Sequence, residues 1–334
     1  LGGGCSNVSG GYGDFIGGGI GNTTYSYYCN ATIAGGFRNI ALIGGTVGGG
    51  CCNSVSGWGF IGGGTNHKTE SINNVIAGGA SNVICGNTNY FASIGGGASN
   101  AICCNSQYTA IGGGLGNLIC NSCYGGIAFG CNNRVLDGCW ASILGGYCNF
   151  ATGHYSGVVM GRNNCSTAIY SSNLGGCLNT ASGCFSSSLG GYANTSSGYT
   201  ASTLGGWGNI ASGCFSSTIG INSCAYLYGQ NALSSGQFSA TGDAQSSTLI
   251  NRRSSSSVAT GGTFVLSLDG TGTTNLIIPP SGKSWAIKVQ YVARVVGITG
   301  TATGLTVGDT KTQTQEVGLR NIGGTTTILT GSPN

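Results

Sequence analysis

Hydrophobic residues in the first two thirds of the chain occur singly or in short pairs, each followed by glycines and then by an asparagine. Residues 186–213 show this unit twice: Leu189 and Leu204 each precede a glycine pair, and Asn194 and Asn209 follow at the same distance. The unit is 15 residues long, which is too short for a repeat built from two helices. It predicts one coil of a parallel β-solenoid, with two short strands and two turns.

The asparagine marks a slot that recurs at spacings of 14 to 18 residues and settles to 15 after Asn149. The slots are Asn7, Asn22, Asn39, Asn53, His67, Asn82, Asn100, Asn117, Asn133, Asn149, Asn164, Asn179, Asn194, Asn209 and, as the last, Cys224. We therefore predict about 15 coils over residues 1–224, with strands of roughly four or five residues stacked about 4.8 Å apart.

Each repeated position predicts a structural role. Asparagine tolerates the left-handed conformation, and its stacked side chains form hydrogen-bonded ladders. We expect the aliphatic residue before the glycines, including Leu189 and Leu204, to point inward. A second inward column lies two residues after the slot: Val55, Ile84, Ile102, Ile119, Val135, Ala151, Ala181 and Ala211. The glycine run shortens from three in early coils to two in late coils, which we interpret as a deletion inside the turn.

The repeat ends near residue 224, and the pattern then changes. A polar stretch at 225–262 is predicted to be a connecting collar. Beyond it, residues 263–334 contain "WAIKVQYVARVV", whose apolar residues alternate as in a half-buried strand. We predict a small antiparallel β domain there, incomplete at the end of the chain.

Composition narrows the class of protein. Glycine accounts for 68 of 334 residues, while only 18 are charged and 3 are proline. Collagen and disordered chains require more proline or more charge. The net charge of +4 is spread out, so we expect no nucleic-acid partner. No run of 18 apolar residues occurs, so we expect no direct membrane insertion.

Few residues are suited to catalysis. Among the seven acidic residues, Asp14, Glu70 and Asp137 fall on coils several steps apart, whereas a glycosidase needs two carboxylates within about 10 Å. The two histidines, His67 and His154, are about six coils apart. We therefore expect no enzymatic activity, no cofactor and no metal.

The 17 cysteines all lie within residues 5–224. Cys85, Cys103 and Cys120 share one column, three residues after the slot, and stacked strands bring such positions within the Cα separation of disulfides. Three interpretations stay open: disulfides that staple coils or chains of an extracellular rod, cysteines that act as small hydrophobes, and, least favoured, metal binding.

Three aromatic residues share the position directly after a glycine pair: Tyr147, Tyr192 and Trp207. On a surface with little charge, such rings can stack on the sugars of a ligand. They can also pack on one another or at a seam between chains, and this is the favoured interpretation. We treat them as candidate ligand-binding residues.

Residues 198–220, "GYTASTLGGWGNIASGCFSSTIG", resemble the head repeats of YadA-like trimeric adhesins, in which G-x-x-S-x-A-I-G alternates with G-x-x-N-x-A-x-G. The likeness extends well over about 140–224 and loosely over 1–139, and the cysteines depart from it. It implies a left-handed parallel β-roll and a homotrimer of chains side by side. Separately, "GQFSATGDAQSSTLINRR" resembles the C-terminal modules of phage tail fibres.

The resulting expectation is a non-enzymatic, extracellular, homotrimeric β-solenoid fibre. The favoured function is that of a phage tail-fibre segment, located on the virion, that binds a host-cell glycan or protein receptor. The first alternative is a trimeric adhesin of a bacterial cell surface or a subunit of an extracellular filament. The alternative from another class is a tailspike-like depolymerase that cuts host polysaccharide.

Overall fold

The computed structural model describes residues 1–25, 30–86 and 88–250, together with three strands between 284 and 329. The chain divides into two compact units, Leu1–Ile250 and Asn251–Asn334. The first unit is a parallel β-solenoid of about 15 coils, as predicted, and all regular structure in the described residues is β.

Each coil contributes one strand to each of two sheets. Sheet 1 has 15 strands, in this order: Val8–Ser9, Thr23–Tyr25, Ile40–Leu42, Ser54–Val55, Lys68–Thr69, Val83–Ile84, Ala101–Cys103, Leu118–Cys120, Arg134–Leu136, Phe150–Ala151, Cys165–Ser166, Thr180–Ala181, Thr195–Ser196, Ile210–Ala211 and Cys224–Ala225. Most are two residues long, shorter than predicted, because turns with left-handed backbone follow closely on either side.

Sheet 2 has 16 strands, in this order: Phe15–Ile16, Thr32–Ile33, Thr46–Val47, Phe60–Ile61, Val75–Ile76, Ser93–Ile94, Ala110–Ile111, Gly126–Ile127, Ser142–Ile143, Gly157–Val158, Ser172–Asn173, Ser187–Ser188, Ser202–Thr203, Ser217–Ile221, Asn231–Ser235 and Gln245–Thr248. A third line, of isolated parallel bridges, runs along one corner from Cys5 to Ile221. Identical positions of successive coils are therefore stacked in register along the rod.

The interior consists of stacked columns. The predicted column two residues after the asparagine is buried throughout, from Val55 to Ala211. In sheet 2, isoleucine or valine fills the interior from Ile16 to Val158. The asparagine slots from Asn22 to Asn209 are also buried, and His67 occupies its predicted place among them.

The prediction that Leu189 and Leu204 point inward is wrong. These side chains are 44% and 47% exposed, and the preceding Ser188 and Thr203 are the buried residues. The buried residue stands six positions before the asparagine in early and late coils alike, as in Ile111 and Asn117. Leucine therefore replaces the first glycine of the early triplets. No deletion has occurred in the turn, because the spacing that fixes strand facing is unchanged.

The solenoid ends later than residue 224. Ser223, not Cys224, occupies the last slot, because its backbone N–H donates to Oδ1 of Asn209 at 2.9 Å. Parallel pairing continues to Asn231–Ser235, and Gln245–Thr248 then adds an antiparallel strand to the end of sheet 2. Parallel stacking therefore reaches into the stretch predicted as a collar.

The second unit contains a three-stranded antiparallel sheet. Ser284–Arg294 pairs with Thr310–Ile322, which pairs in turn with Thr325–Leu329. The predicted strand in "WAIKVQYVARVV" is the first of these. The remainder of the predicted domain 263–334 and the collar beyond residue 250 lie outside the described residues.

Candidate interaction surfaces of the rod

The buried asparagine ladder holds each coil to the next. In the example of Asn117, Nδ2 donates to the carbonyl oxygen of Gly113 at 3.0 Å and to that of Gly130, in the next coil, at 2.9 Å. Its Oδ1 accepts the backbone N–H of Asn133, also in the next coil, at 3.0 Å. The ladder thus joins side chains to backbone, which satisfies polar groups that have no access to water.

His67 reproduces part of this pattern. Its Nδ1 accepts the backbone N–H of Asn82 at 3.1 Å, and its own N–H donates to Oδ1 of Asn53 at 3.0 Å. An accepting Nδ1 carries no proton, so His67 is neutral with its hydrogen on Nε2. Burial of the ring lowers the pKa of His67 from its ordinary value, because desolvation disfavours the charged form.

Aromatic residues form a ladder along a second corner of the rod, which sequence reasoning missed. Seven rings stack with centroid separations of 4.3–6.1 Å and planes within 13° of parallel: Phe91, Tyr108, Tyr124, Trp140, Tyr155, Tyr170 and Phe185. Three further rings, Tyr199, Phe215 and Tyr228, continue the line with tilted or edge contacts. We call these ten residues the aromatic ladder.

The backbone at the seven stacked rings is left-handed, with φ between 54° and 63°. This conformation is unfavourable for bulky side chains, so ring stacking along the corner offsets a local cost. Thr200 occupies the left-handed position in its coil, and the ring of the preceding Tyr199 therefore meets its neighbours edge-on. Because stacked rings cover one another's faces, the ladder presents mainly ring edges to solvent.

An exposed aliphatic column runs along sheet 2 in the late coils. Its seven members are 41–57% exposed: Leu144, Val159, Leu174, Leu189, Leu204, Ile219 and Leu233. We call this column the leucine stripe. In the early coils the same position holds glycine or alanine, as at Gly112 and Ala128.

The interior of sheet 2 is polar beneath the middle of the leucine stripe. The sheet 2 interior column changes from Ile143 and Val158 to Asn173, Ser188 and Thr203, all buried. Some of these groups are paired, as where Oγ of Ser196 lies 3.1 Å from that of Thr203. The hydroxyl of Ser188 has no hydrogen-bond partner among the residues that the structure describes. The late coils thus place small polar residues inside and large aliphatic residues outside.

The three predicted ligand-binding residues do not form one cluster. Tyr147, Tyr192 and Trp207 lie half-exposed in the line of isolated bridges. Tyr192 and Trp207 pair across adjacent coils, whereas Arg162 and Cys177 stand between Tyr147 and Tyr192. The guanidinium of Arg162 lies 5.7 Å from the centroid of the Tyr147 ring, in a cation–π contact.

Trp58 is an exposed aromatic residue of the early coils that lines a groove. It is 58% exposed, and its ring packs against Gly44. A shallow groove of about 300 Å³ surrounds it, lined also by Ile43, Ile72 and Tyr90. Trp58 is therefore better placed than the ladder rings to stack on a planar or sugar-like group.

The column of three cysteines is brought together across neighbouring coils. The Sγ atoms of Cys85 and Cys103 lie 2.6 Å apart, and Cys103 stands opposite Cys120 in the strand register. Burial raises the pKa of the Cys103 thiol to about 12 and that of Cys120 to about 11.

The candidate acidic residues make separate local contacts. Oδ1 of Asp14 accepts the backbone N–H of Ala31 at 2.9 Å, and Glu70 forms an ion pair with Lys68. Asp137 accepts a hydrogen bond from Asn121 at 2.7 Å. Within the described part of the chain, no group of three or more His, Cys, Asp or Glu residues is placed to hold a metal ion.

Neither the protein-family models nor the curated proteins provide a match to this chain. In the described residues, no helix is long and apolar enough to cross a membrane.

Proposed function

We propose that this chain is a segment of a homotrimeric extracellular fibre that attaches to a host-cell surface and catalyses no reaction. Within this class, a phage tail-fibre segment is favoured by the resemblance of residues 236–253 to such fibres. A trimeric adhesin of a cell surface, or a filament subunit, is the alternative. The observation that carries the proposal is the leucine stripe above a polar interior.

The stripe favours association between chains for energetic reasons. Burying the exposed half of one leucine side chain is worth about 1 kcal/mol. Seven such residues in line therefore offer about 7 kcal/mol per chain before the costs of association. The occupant best matched to the stripe is a second copy of the chain, because parallel copies repeat with the same coil spacing of about 4.8 Å. The resemblance to trimeric head repeats supports three copies.

The test of assembly is the mass in solution of the purified chain, measured by sedimentation equilibrium. We expect a trimer for the wild type and dissociation for the double variant Leu189→Asp/Leu204→Asp. The matched control, Ser197→Asp/Ser212→Asp, adds the same charges at exposed positions of the same coils, directly after their sheet 1 strands, and is expected to stay trimeric. A monomeric wild type contradicts the trimer, and dissociation of both variants contradicts the role of the stripe.

Attachment is tested by binding of the purified rod to an array of glycans and to host cells. We expect the rod to bind a glycan or protein of the host surface. We expect Trp58→Ala, and likewise Tyr192→Ala/Trp207→Ala, to weaken this binding. Incubation with host capsule separates the proposal from a depolymerase, since release of reducing ends contradicts a fibre without catalytic activity.

A further inference from the structure

Cys85 and Cys103 approach each other more closely than two unbonded thiols allow. Their Sγ atoms are 2.6 Å apart on adjacent coils, whereas unbonded heavy atoms pack at about 3.5–4.0 Å. The strand geometry favours the approach, because the N–H of Cys85 donates to the carbonyl oxygen of Ile102 at 2.9 Å. The contact lies on the outer side of sheet 1, opposite the buried Ile84 and Ile102.

A second pair follows in the next coil. Cys103 faces Cys120 in the register of sheet 1, but one sulfur atom forms a disulfide with only one partner. The longer corner brings Cys104 to the same place, because the backbone N–H of Asn121, which follows Cys120, donates to the carbonyl oxygen of Cys104 at 2.9 Å. Two members of the column, Cys85 and Cys103, therefore form one pair. The third, Cys120, pairs with Cys104, which lies outside the column.

The two pairs lie where the coils are longest. The steps from Asn82 to Asn100 and from Asn100 to Asn117 are 18 and 17 residues, against 15 in the late coils. The added residues lie at the corner after sheet 1, where Cys104 and Asn105 have positive φ. Longer corner segments have more conformational freedom to lose on folding, and a cross-link at their base reduces that freedom.

We propose that Cys85–Cys103 and Cys104–Cys120 form two disulfide bonds between coils, by exchange with a disulfide oxidant such as glutathione disulfide. In each pair, one thiolate attacks the oxidant and releases one glutathione, and the partner thiolate then displaces the second glutathione from the mixed disulfide. The two cysteine sulfurs lose two electrons, the oxidant takes them up, and the two thiol protons end on the two released glutathione molecules. The exposed Cys104 is the more accessible first nucleophile of its pair.

Thiol mapping tests the pairing. The purified chain is equilibrated in a buffer of reduced and oxidised glutathione, unfolded in excess N-ethylmaleimide, cut with chymotrypsin and analysed by mass spectrometry. We expect all four cysteines of the wild type to escape labelling. In Cys104→Ser, label appears at Cys120 while Cys85 and Cys103 stay protected. In Cys103→Ser, label appears at Cys85 while Cys104 and Cys120 stay protected.

The matched control is Cys184→Ser, a cysteine of the late coils, which leaves all four residues protected. Labelling of all four in the oxidised wild type overturns the proposal. A peptide joined by a Cys103–Cys120 disulfide in Cys104→Ser also overturns it, whereas Cys120 carrying glutathione counts as unpaired, as labelled Cys120 does. If a variant fails to fold, graded reduction of the wild type decides the question, since Cys85 and Cys103 must become free together and separately from the pair of Cys104 and Cys120.

Discussion

The buried asparagine ladder predicts a large local loss of stability when one asparagine is removed. In Asn117→Ala, three hydrogen bonds disappear: Nδ2 to the carbonyl oxygens of Gly113 and Gly130, and Oδ1 from the N–H of Asn133. The carbonyl of Gly130 keeps a second partner, because it also accepts the N–H of Leu115. Asn133 N–H and Gly113 C=O are left unpaired around a side chain that is fully buried.

The cost follows from these two kinds of loss. The buried N–H of Asn133 left unpaired costs about 2 kcal/mol. The part-buried carbonyl of Gly113 adds about 1 kcal/mol, and the shared bond at Gly130 about 0.5 kcal/mol. The sum is about 3–4 kcal/mol of unfolding free energy. Because each coil contacts mainly its neighbours, the loss is expected to open the coils around Asn117 before the ends of the rod.

Two measurements check this expectation: urea unfolding followed by circular dichroism, and hydrogen exchange resolved by peptide. We expect exchange to accelerate most in residues 100–133. Asn231→Ala, at an exposed position of sheet 2, is the control and is expected to change little. Asn117→His is expected to cost less than Asn117→Ala, because His67 already serves in an equivalent slot. If Asn117→Ala lowers the free energy of unfolding by less than about 1 kcal/mol, the reasoning is refuted.

Two further predictions concern His67 and the aromatic ladder. The pKa of His67 is lowered in the folded chain from its ordinary value of 6.5. Neutral His67 therefore contributes fully to stability above pH 6.5. Below that pH the contribution is lost, because the unfolded chain takes up the proton first. His67→Asn is expected to remove this part of the pH dependence in urea titrations at pH 5 to 8 and His154→Asn to retain it; equal slopes for His67→Asn and the wild type contradict the assignment. Trp140→Asn keeps a residue suited to left-handed backbone, as Asn73 shows at the equivalent position, but removes the stacking on Tyr124 and Tyr155. We expect the free energy of unfolding measured in urea to fall by about 1–2 kcal/mol. An unchanged urea midpoint contradicts a stabilising ladder.

The solenoid and its buried columns were predictable because stacking in register requires a repeated residue at each position. The facing of Leu189 and Leu204 was predicted wrongly because the glycine pair, rather than the distance to the asparagine, was used to align the coils. Ser188 and Thr203 gave no hydrophobic signal for the interior. The last slot was misassigned to Cys224 because that coil is one residue shorter before Ser223.

The aromatic ladder left a signal in the sequence that the repeat analysis did not use. From Phe91 to Phe185 each ring stands nine residues before the asparagine of its coil, as with Tyr108 and Asn117. Counted forward from the preceding asparagine, the same rings fall at varying distances, so the column is hidden. The pairing of Cys104 with Cys120 was hidden for a related reason, because it depends on how the longer corner folds back and not on a shared column.

Apart from the last coil, which is one residue shorter before Ser223, coil length varies only at the corner that carries the aromatic ladder. The number of residues between the two interior positions of a coil is constant over most of the rod. An example is the segment from Ile94, in the interior of sheet 2, through Asn100 to Ile102, in the interior of sheet 1. Each coil advances the rod by about 4.8 Å however many residues its corner holds. The number of coils therefore sets the length of the solenoid, so gaining or losing whole repeats lengthens or shortens it. Insertions at this corner leave that length unchanged and alter only which side chains are exposed at that coil.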